Sequence, residues 1–162
     1  MNQNKIIFDI DGTLACCKHR LDHILQPKKD WDAFDALTHL DEPIYNTIKV
    51  LWNMYRSPFI QIILLTGRNE RVRQQTIDWL HNYDLPYDQL IMRGLNDRRP
   101  AFELKAANLV KFGIKPEEVI TIFEDEPKTI KHLRELGYHV CDVGGWEDHY
   151  VEITEGGRSE GE

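Results

Sequence analysis

Four short stretches hold the residues able to do chemistry. Asp9 and Asp11 lie in FDIDGTLA, Thr66 and Gly67 in LLTGR, and Glu124 and Asp125 in FEDEP; Lys105 lies between the last two stretches. A carboxylate can attack phosphorus and form an aspartyl-phosphate, which splits one hard step into two. A second acid two residues on can protonate the leaving oxygen and then activate water. Several carboxylates in one place call for a hard divalent cation, and Mg2+ prefers a few carboxylates together with phosphate oxygens. A hydroxyl and an ammonium can hold the remaining phosphate oxygens. Gly12 lets the backbone turn tightly after the first pair of acids. The set points to phosphoryl transfer, provided the fold brings the four stretches together.

The surrounding sequence supplies elements that would do so. Ile6, Ile7 and Phe8 form a short apolar run that stops at Asp9 and predicts a buried strand. Residues 15–42 are irregular and polar, with a short helix expected over 30–37, capped by Asp30. A helix is expected to start near Pro43 and to turn Ile44, Ile48, Leu51, Trp52 and Tyr55 to one face, with Ser57 and Pro58 breaking it. The run 59–65 is the strongest strand and ends at Thr66. Asn69 can cap a helix running to about Asn82, and residues 90–92 form a short strand. Residues 93–99 form a basic loop, and Pro100 opens a helix that Gly113 closes. Residues 119–123 form a strand, a helix follows to Leu136 with Gly137 as its stop, and 138–141 form the last strand. Five strands alternating with helices predict a parallel sheet with helices on both faces. Such sheets bind ligands at the carboxyl ends of their strands, where three of the stretches fall, with Lys105 just inside a helix between the last two.

Composition sets the outer limits. The chain has 162 residues, 41% apolar and 29% charged, which fits a single globular α/β domain over 1–150 with a flexible acidic tail over 151–162. The net charge is −7; four Glu and one Arg lie from Glu152 onward, which leaves a body of −4. A mildly acidic body excludes non-specific DNA coating as the main activity. The stretch 93–105 runs against this trend, with four basic and two acidic residues. Cys16, Cys17 and Cys141 read as free thiols in a reducing compartment. No stretch is long enough to span a bilayer, so a cytoplasmic protein with no membrane partner is expected.

In their order and residue types, the four motifs resemble those of the haloacid dehalogenase (HAD) superfamily of phosphatases. Within it, residues 28–34 (KKDWDAF), 85–93 (LPYDQLIMR) and 96–100 (NDRRP) are similar to the 3′-phosphatase domain of bacteriophage polynucleotide kinase/phosphatase. The resemblance covers about residues 5–146. It implies a three-layer Rossmann-like fold without a full cap domain, with residues 15–42 as a small insert near the site. It implies Asp9 as nucleophile, Asp11 as general acid/base, Thr66 and the backbone of Gly67 on the phosphoryl group, and Lys105 neutralising Asp9 and phosphate. It implies Mg2+ held by Asp9, the backbone carbonyl of Asp11 and Asp125. Glu124 stands where polynucleotide phosphatases usually carry Asp, and a water-mediated metal contact is expected there. If the cell is a phage host, the location implied is its cytoplasm.

Arg68, Arg93, Arg98 and Arg99 are candidates for substrate phosphate contacts. Trp52 and Trp79, at helical spacing with apolar residues, are expected in the core; Trp31 and Trp146, on irregular segments, are candidates for base stacking. His19 and His23 read as ordinary polar loop residues. The expected activity is removal of 3′-phosphates from DNA or RNA ends, with no required protein partner. A small-molecule phosphatase such as a 5′- or 3′-nucleotidase uses the same chemistry, with residues 15–42 as a lid. A catalytically weak protein that binds nucleic acid ends is a further reading. A phospho-accepting receiver domain fits poorly, because its acceptor Asp ends a middle strand and here that strand ends in Thr66. No Gly is followed by Lys, so the sequence lacks G-x-x-x-x-G-K-[S/T], and no P-loop 5′-kinase activity is expected.

Overall fold

The computed structural model describes residues 4–144. Its centre is a five-stranded, all-parallel sheet in the order β5-β4-β1-β6-β7. The strands are β1 (Asn4–Phe8), β4 (Ile60–Asn69), β5 (Gln89–Arg93), β6 (Val119–Glu124) and β7 (Val140–Asp142). Successive side chains of a strand point to opposite faces, so each strand feeds two cores. Ile6, Phe8, Ile62 and Leu64 face one way and pack with Ile48 and Leu51 of α3 (Tyr45–Tyr55) and Trp79 and Leu80 of α4 (Arg73–Asn82). Ile7, Ile63 and Leu65 face the other way and pack with Leu109 of α5 (Ala101–Lys111) and Ile130 and Leu133 of α6 (Pro127–Glu135). This is the expected three-layer Rossmann-like arrangement.

Between β1 and α3 lies the small insert. It holds an antiparallel ribbon of β2 (Ala15–Cys16) and β3 (Glu42–Pro43), with α1 (Asp22–Leu25) and α2 (Trp31–Ala36) between the two strands. Cys17, Leu21, Ile24 and Phe34 form its own apolar cluster. Asp30 caps α2 as expected, its carboxylate accepting from the Ala33 amide at 2.9 Å. All three cysteines are free, and burial pushes the Cys17 thiol up, so it is no nucleophile.

Four expected boundaries move. Pro43 does not open α3; it pairs in the ribbon opposite Ala15, and the Ile44 amide donates to the Leu14 carbonyl at 2.8 Å, so the helix starts at Tyr45. β4 does not stop at Leu65 but runs on through Thr66, Gly67 and Arg68 to Asn69, which pairs with Arg93 after a register shift. Asn69 then caps a short 3-10 turn over Glu70–Val72 rather than the helix itself. The last strand starts at Val140, because Tyr138 is drawn off to donate its hydroxyl to the Ile114 carbonyl at 2.6 Å. Gly113 and Gly137, both at positive φ, stop α5 and α6 as expected. Trp79 is buried in the core, and Trp52 is half-buried against it. Trp146 and the acidic tail lie outside the described residues.

Candidate active site

β1 and β6 are neighbours in the sheet and end side by side. The Asp9 amide donates to the Phe123 carbonyl at 3.0 Å, which sets Asp9 beside Glu124 and Asp125. Lys105, on the inner face of α5, reaches up to both: its ammonium donates to Asp9 Oδ1 at 2.7 Å and to Glu124 Oε2 at 2.6 Å. All four side chains are buried. Glu124 also accepts through Oε1 from the Asp125 and Glu126 amides, at 3.1 Å each. Asp9, Glu124 and Asp125 each bring one carboxylate oxygen within 4.8 Å of the others.

The charge balance of this cluster is uneven: three buried carboxylates face one ammonium. Burial, and then the nearby charge of Glu124, push the Asp9 carboxyl up to about 7 despite the opposing pull of Lys105. Lys105 is pushed up as well: burial disfavours its charge, but Asp9 and Glu124 outweigh that and keep it protonated. A hard dication held by oxygen ligands would remove the excess negative charge, so the donor set fits Mg2+. Glu124 is fixed in place by the Lys105 ammonium and two backbone amides.

Asp11 sits at the turn after β1. The Leu14 and Ala15 amides close on the Ile10 carbonyl at 2.8 and 2.9 Å, and Gly12 has φ 85°. The turn lifts Asp11 out of the Asp9 cluster and into a second one. Arg20 Nη2 and Arg68 Nη2 each donate to Asp11 Oδ1 at 2.6 Å, and Arg68 Nε does so at 3.0 Å. Behind Asp11, Asp41 accepts from Arg20 Nε at 2.7 Å and from the Nη2 groups of Arg20 and Arg68 at 2.7 and 2.6 Å. Two guanidiniums and two carboxylates thus balance. Burial pushes the Asp11 carboxyl up, but Arg20 and Arg68 outweigh it and hold the group well below the usual carboxylate range.

Thr66 is fully buried at the carboxyl end of β4, next to β1, and its hydroxyl accepts from the Arg68 amide at 3.1 Å. Gly67 is half-buried beside it. Asp9, Lys105, Glu124 and Asp125 therefore meet in one cluster, while Asp11 and Arg68 meet in the adjoining one. The other arginines are placed differently. Arg93 supports the backbone, donating to the carbonyls of Gly67 at 2.9 Å and Arg99 at 2.6 Å. Arg99 pairs with Asp97 at the surface at 2.5 Å, and Arg98 is exposed.

Arg20 and Asp41 belong to the site although no sequence motif marks them. Both are buried, and both come from the irregular segment between β1 and α3. The one available signal was the apolar spacing of Cys17, Leu21 and Ile24, which draws Arg20 inward. His19 has a partner too: its ring Nε2 lies 2.9 Å from Asp41 Oδ1. Trp79, besides its core role, donates its indole N–H to the Asp41 carbonyl at 2.8 Å and so fixes the residue that orients both arginines.

The family model described as the polynucleotide kinase PNKP phosphatase domain matches residues 3–145. No curated protein sequence matches the chain. Among solved structures, a chain of the Pnkp1/Rnl/Hen1 complex is 25% identical with a TM-score of 0.73, covering 87% of this chain and 45% of that one. A chain of the Pnkp1/Rnl/Hen1 RNA repair complex is also 25% identical, with a TM-score of 0.71, covering 87% and 42%. The present chain spans less than half the length of either. The L-2-haloacid dehalogenase of Xanthobacter autotrophicus shares the fold at 13% identity and a TM-score of 0.62, covering 95% and 83%. No described helix is long and apolar enough to cross a membrane.

Proposed function

Because the chain belongs to the polynucleotide kinase PNKP phosphatase domain family, and is thus a HAD-type phosphatase, we propose that it removes 3′-phosphates from nucleic acid ends. The observation that carries this reading is the juxtaposition at the ends of β1 and β6: a buried Asp9 on Lys105, with Asp11 two residues on in a separately balanced cluster.

The proposed reaction runs in two displacements. Asp9 attacks phosphorus, the bond from phosphorus to the 3′-oxygen breaks, and an aspartyl-phosphate forms. Asp11 gives its proton to the departing 3′-oxygen, then takes a proton from the water that attacks the aspartyl-phosphate. Arg20 and Arg68 favour the ionised Asp11, which suits the second half. A bound phosphate dianion adds negative charge beside Asp11 and so restores its hold on a proton for the first half. The Thr66 hydroxyl and the Lys105 ammonium hold phosphoryl oxygens, and Lys105 keeps Asp9 aimed. Arg68 acts here through Asp11, as a positioning residue, while exposed Arg98 is free to meet the nucleic acid backbone. Asp9, Asp125 and the carbonyl of Asp11 would hold Mg2+, with Glu124 behind them. The cation supplies charge neutralisation for the transferring phosphoryl group. The sequence has no P-loop, so 5′-phosphorylation from ATP lies outside this reading.

The test is phosphate release, with Mg2+ and with EDTA, from a 3′-phosphorylated oligonucleotide and from 3′- and 5′-mononucleotides at equal concentration. The oligonucleotide is expected to be preferred, with EDTA stopping release. Preference for a mononucleotide would replace this reading with a nucleotidase.

A further inference from the structure

The insert carries an aromatic feature that the chemistry at Asp9 does not use. Trp31 opens α2 with its side chain 48% exposed. Its indole packs against Phe34 in a T-shaped contact, with ring centroids 5.8 Å apart at 85°. Phe34 is buried and carries the Arg20 guanidinium over its ring at 4.1 Å, and Arg20 in turn reaches Asp11 at 2.6 Å. One ring and one guanidinium therefore separate Trp31 from the general acid/base.

Beside the indole lies a cleft of about 340 Å3 lined by Pro27, Lys28, Lys29 and Trp31. Lys28 and Lys29 are exposed, with no ion pair among the described residues. The acidic residues nearby are all engaged. Asp30 caps α2, Asp32 pairs with Arg71, and Asp35 lies 3.3 Å from the same guanidinium. The cleft lining itself carries two lysines and no acidic side chain, on a chain of net charge −7. An exposed aromatic face flanked by cations is the combination that holds single-stranded nucleic acid: the ring stacks on a base, and the cations follow the backbone.

We propose that Trp31, Lys28 and Lys29 form a stacking subsite for a nucleobase of the strand whose 3′-phosphorylated end occupies the site at Asp9. The proposal rests on the reading of the substrate as a nucleic acid end. It makes the insert a surface that selects polymer over small phosphate esters.

The full chain would be assayed on a 3′-phosphorylated oligonucleotide and on p-nitrophenyl phosphate, which has no nucleobase. The quantity read is the ratio of the two kcat/KM values. Trp31→Ala is expected to lower that ratio about tenfold, chiefly through KM for the oligonucleotide. Trp31→Phe keeps a ring and restores most of the ratio, whereas Trp31→Leu fills the space without a π face and does not. Lys28→Glu with Lys29→Glu is expected to flatten the salt dependence of oligonucleotide KM by about one to two units of log–log slope. A high wild-type ratio that Trp31→Ala leaves unmoved, or that Trp31→Leu restores as well as Trp31→Phe, rejects the subsite alone. A wild-type ratio at or below one rejects the nucleic-acid reading and the subsite with it.

Discussion

Asp9 and Asp11 are two residues apart and live in opposite electrostatic settings. Asp9 shares a single ammonium with Glu124 in a buried cluster that also holds Asp125, so its carboxyl is pushed up to about 7. Asp11 faces two guanidiniums and is held ionised. Asp9→Asn should keep the fold and lower kcat by at least about a thousandfold, because the amide cannot serve as nucleophile; turnover near wild type would reject the assignment. Asp41→Ala tests the second cluster. It leaves Arg20 and Arg68 buried with one carboxylate between them, and breaking a buried pair in this way costs about 3 kcal/mol or more. Urea unfolding should show that loss, together with a fall in kcat as Asp11 loses its fixed orientation. A variant as stable as wild type would mean that water replaces Asp41 at no cost. Asp9, Asp11, Glu124 and Asp125 were legible in the sequence because acids directly after apolar runs must lie at strand ends. Arg20 and Asp41 were not, since they lie 21 positions apart with two short α-helices between them and nothing local announces the pairing.

Among the elements, the parallel sheet and both helical layers could be read from periodicity, because β1 and β4 are apolar on both faces and the helices carry one apolar stripe each. The ribbon of β2 and β3 could not. Two-residue strands carry no period, and a Pro at 43 fits an edge strand as well as a helix start. The extension of β4 through Thr66 was hidden for a related reason: small and polar residues continue the strand only because β5 lies alongside. The turn after β1 is where element geometry bears on catalysis. Gly12 has φ 85°, so Gly12→Ala imposes a strain of roughly 1–2 kcal/mol on the turn. The turn fixes Asp11 relative to Asp9, and a displacement of about 1 Å can cost on the order of a hundredfold in rate. The expected outcome is a modest drop in thermal stability with a disproportionate loss of kcat. Equal stability and rate would show that the turn tolerates the Cβ.

For the molecule as a whole, the Asp9 cluster should couple folding to protons and to a bound metal. In the metal-free protein Asp9 holds its proton up to about pH 7, whereas the unfolded chain releases it near the ordinary aspartate value of 3.8. The folded state binds the proton more tightly, so this group's contribution is fully present below the unfolded value and is lost as pH rises through about 7. Bound Mg2+ would reverse the preference, because it would need the carboxylate and have to expel that proton to bind at low pH. Saturating Mg2+ at about 100 times its dissociation constant should stabilise the fold by ~2.7 kcal/mol, which for a chain of this size raises Tm by several degrees. That shift should be clear at pH 8 and much smaller at pH 5.5, where Asp9 is protonated. In Asp9→Asn the pH dependence of the shift should vanish, since the titrating ligand is gone. Thermal melts of both proteins at the two pH values, with Mg2+ and with EDTA, measure this directly. A Mg2+ shift of equal size at both pH values in the wild type would mean that Asp9 is not the carboxylate through which metal and proton compete.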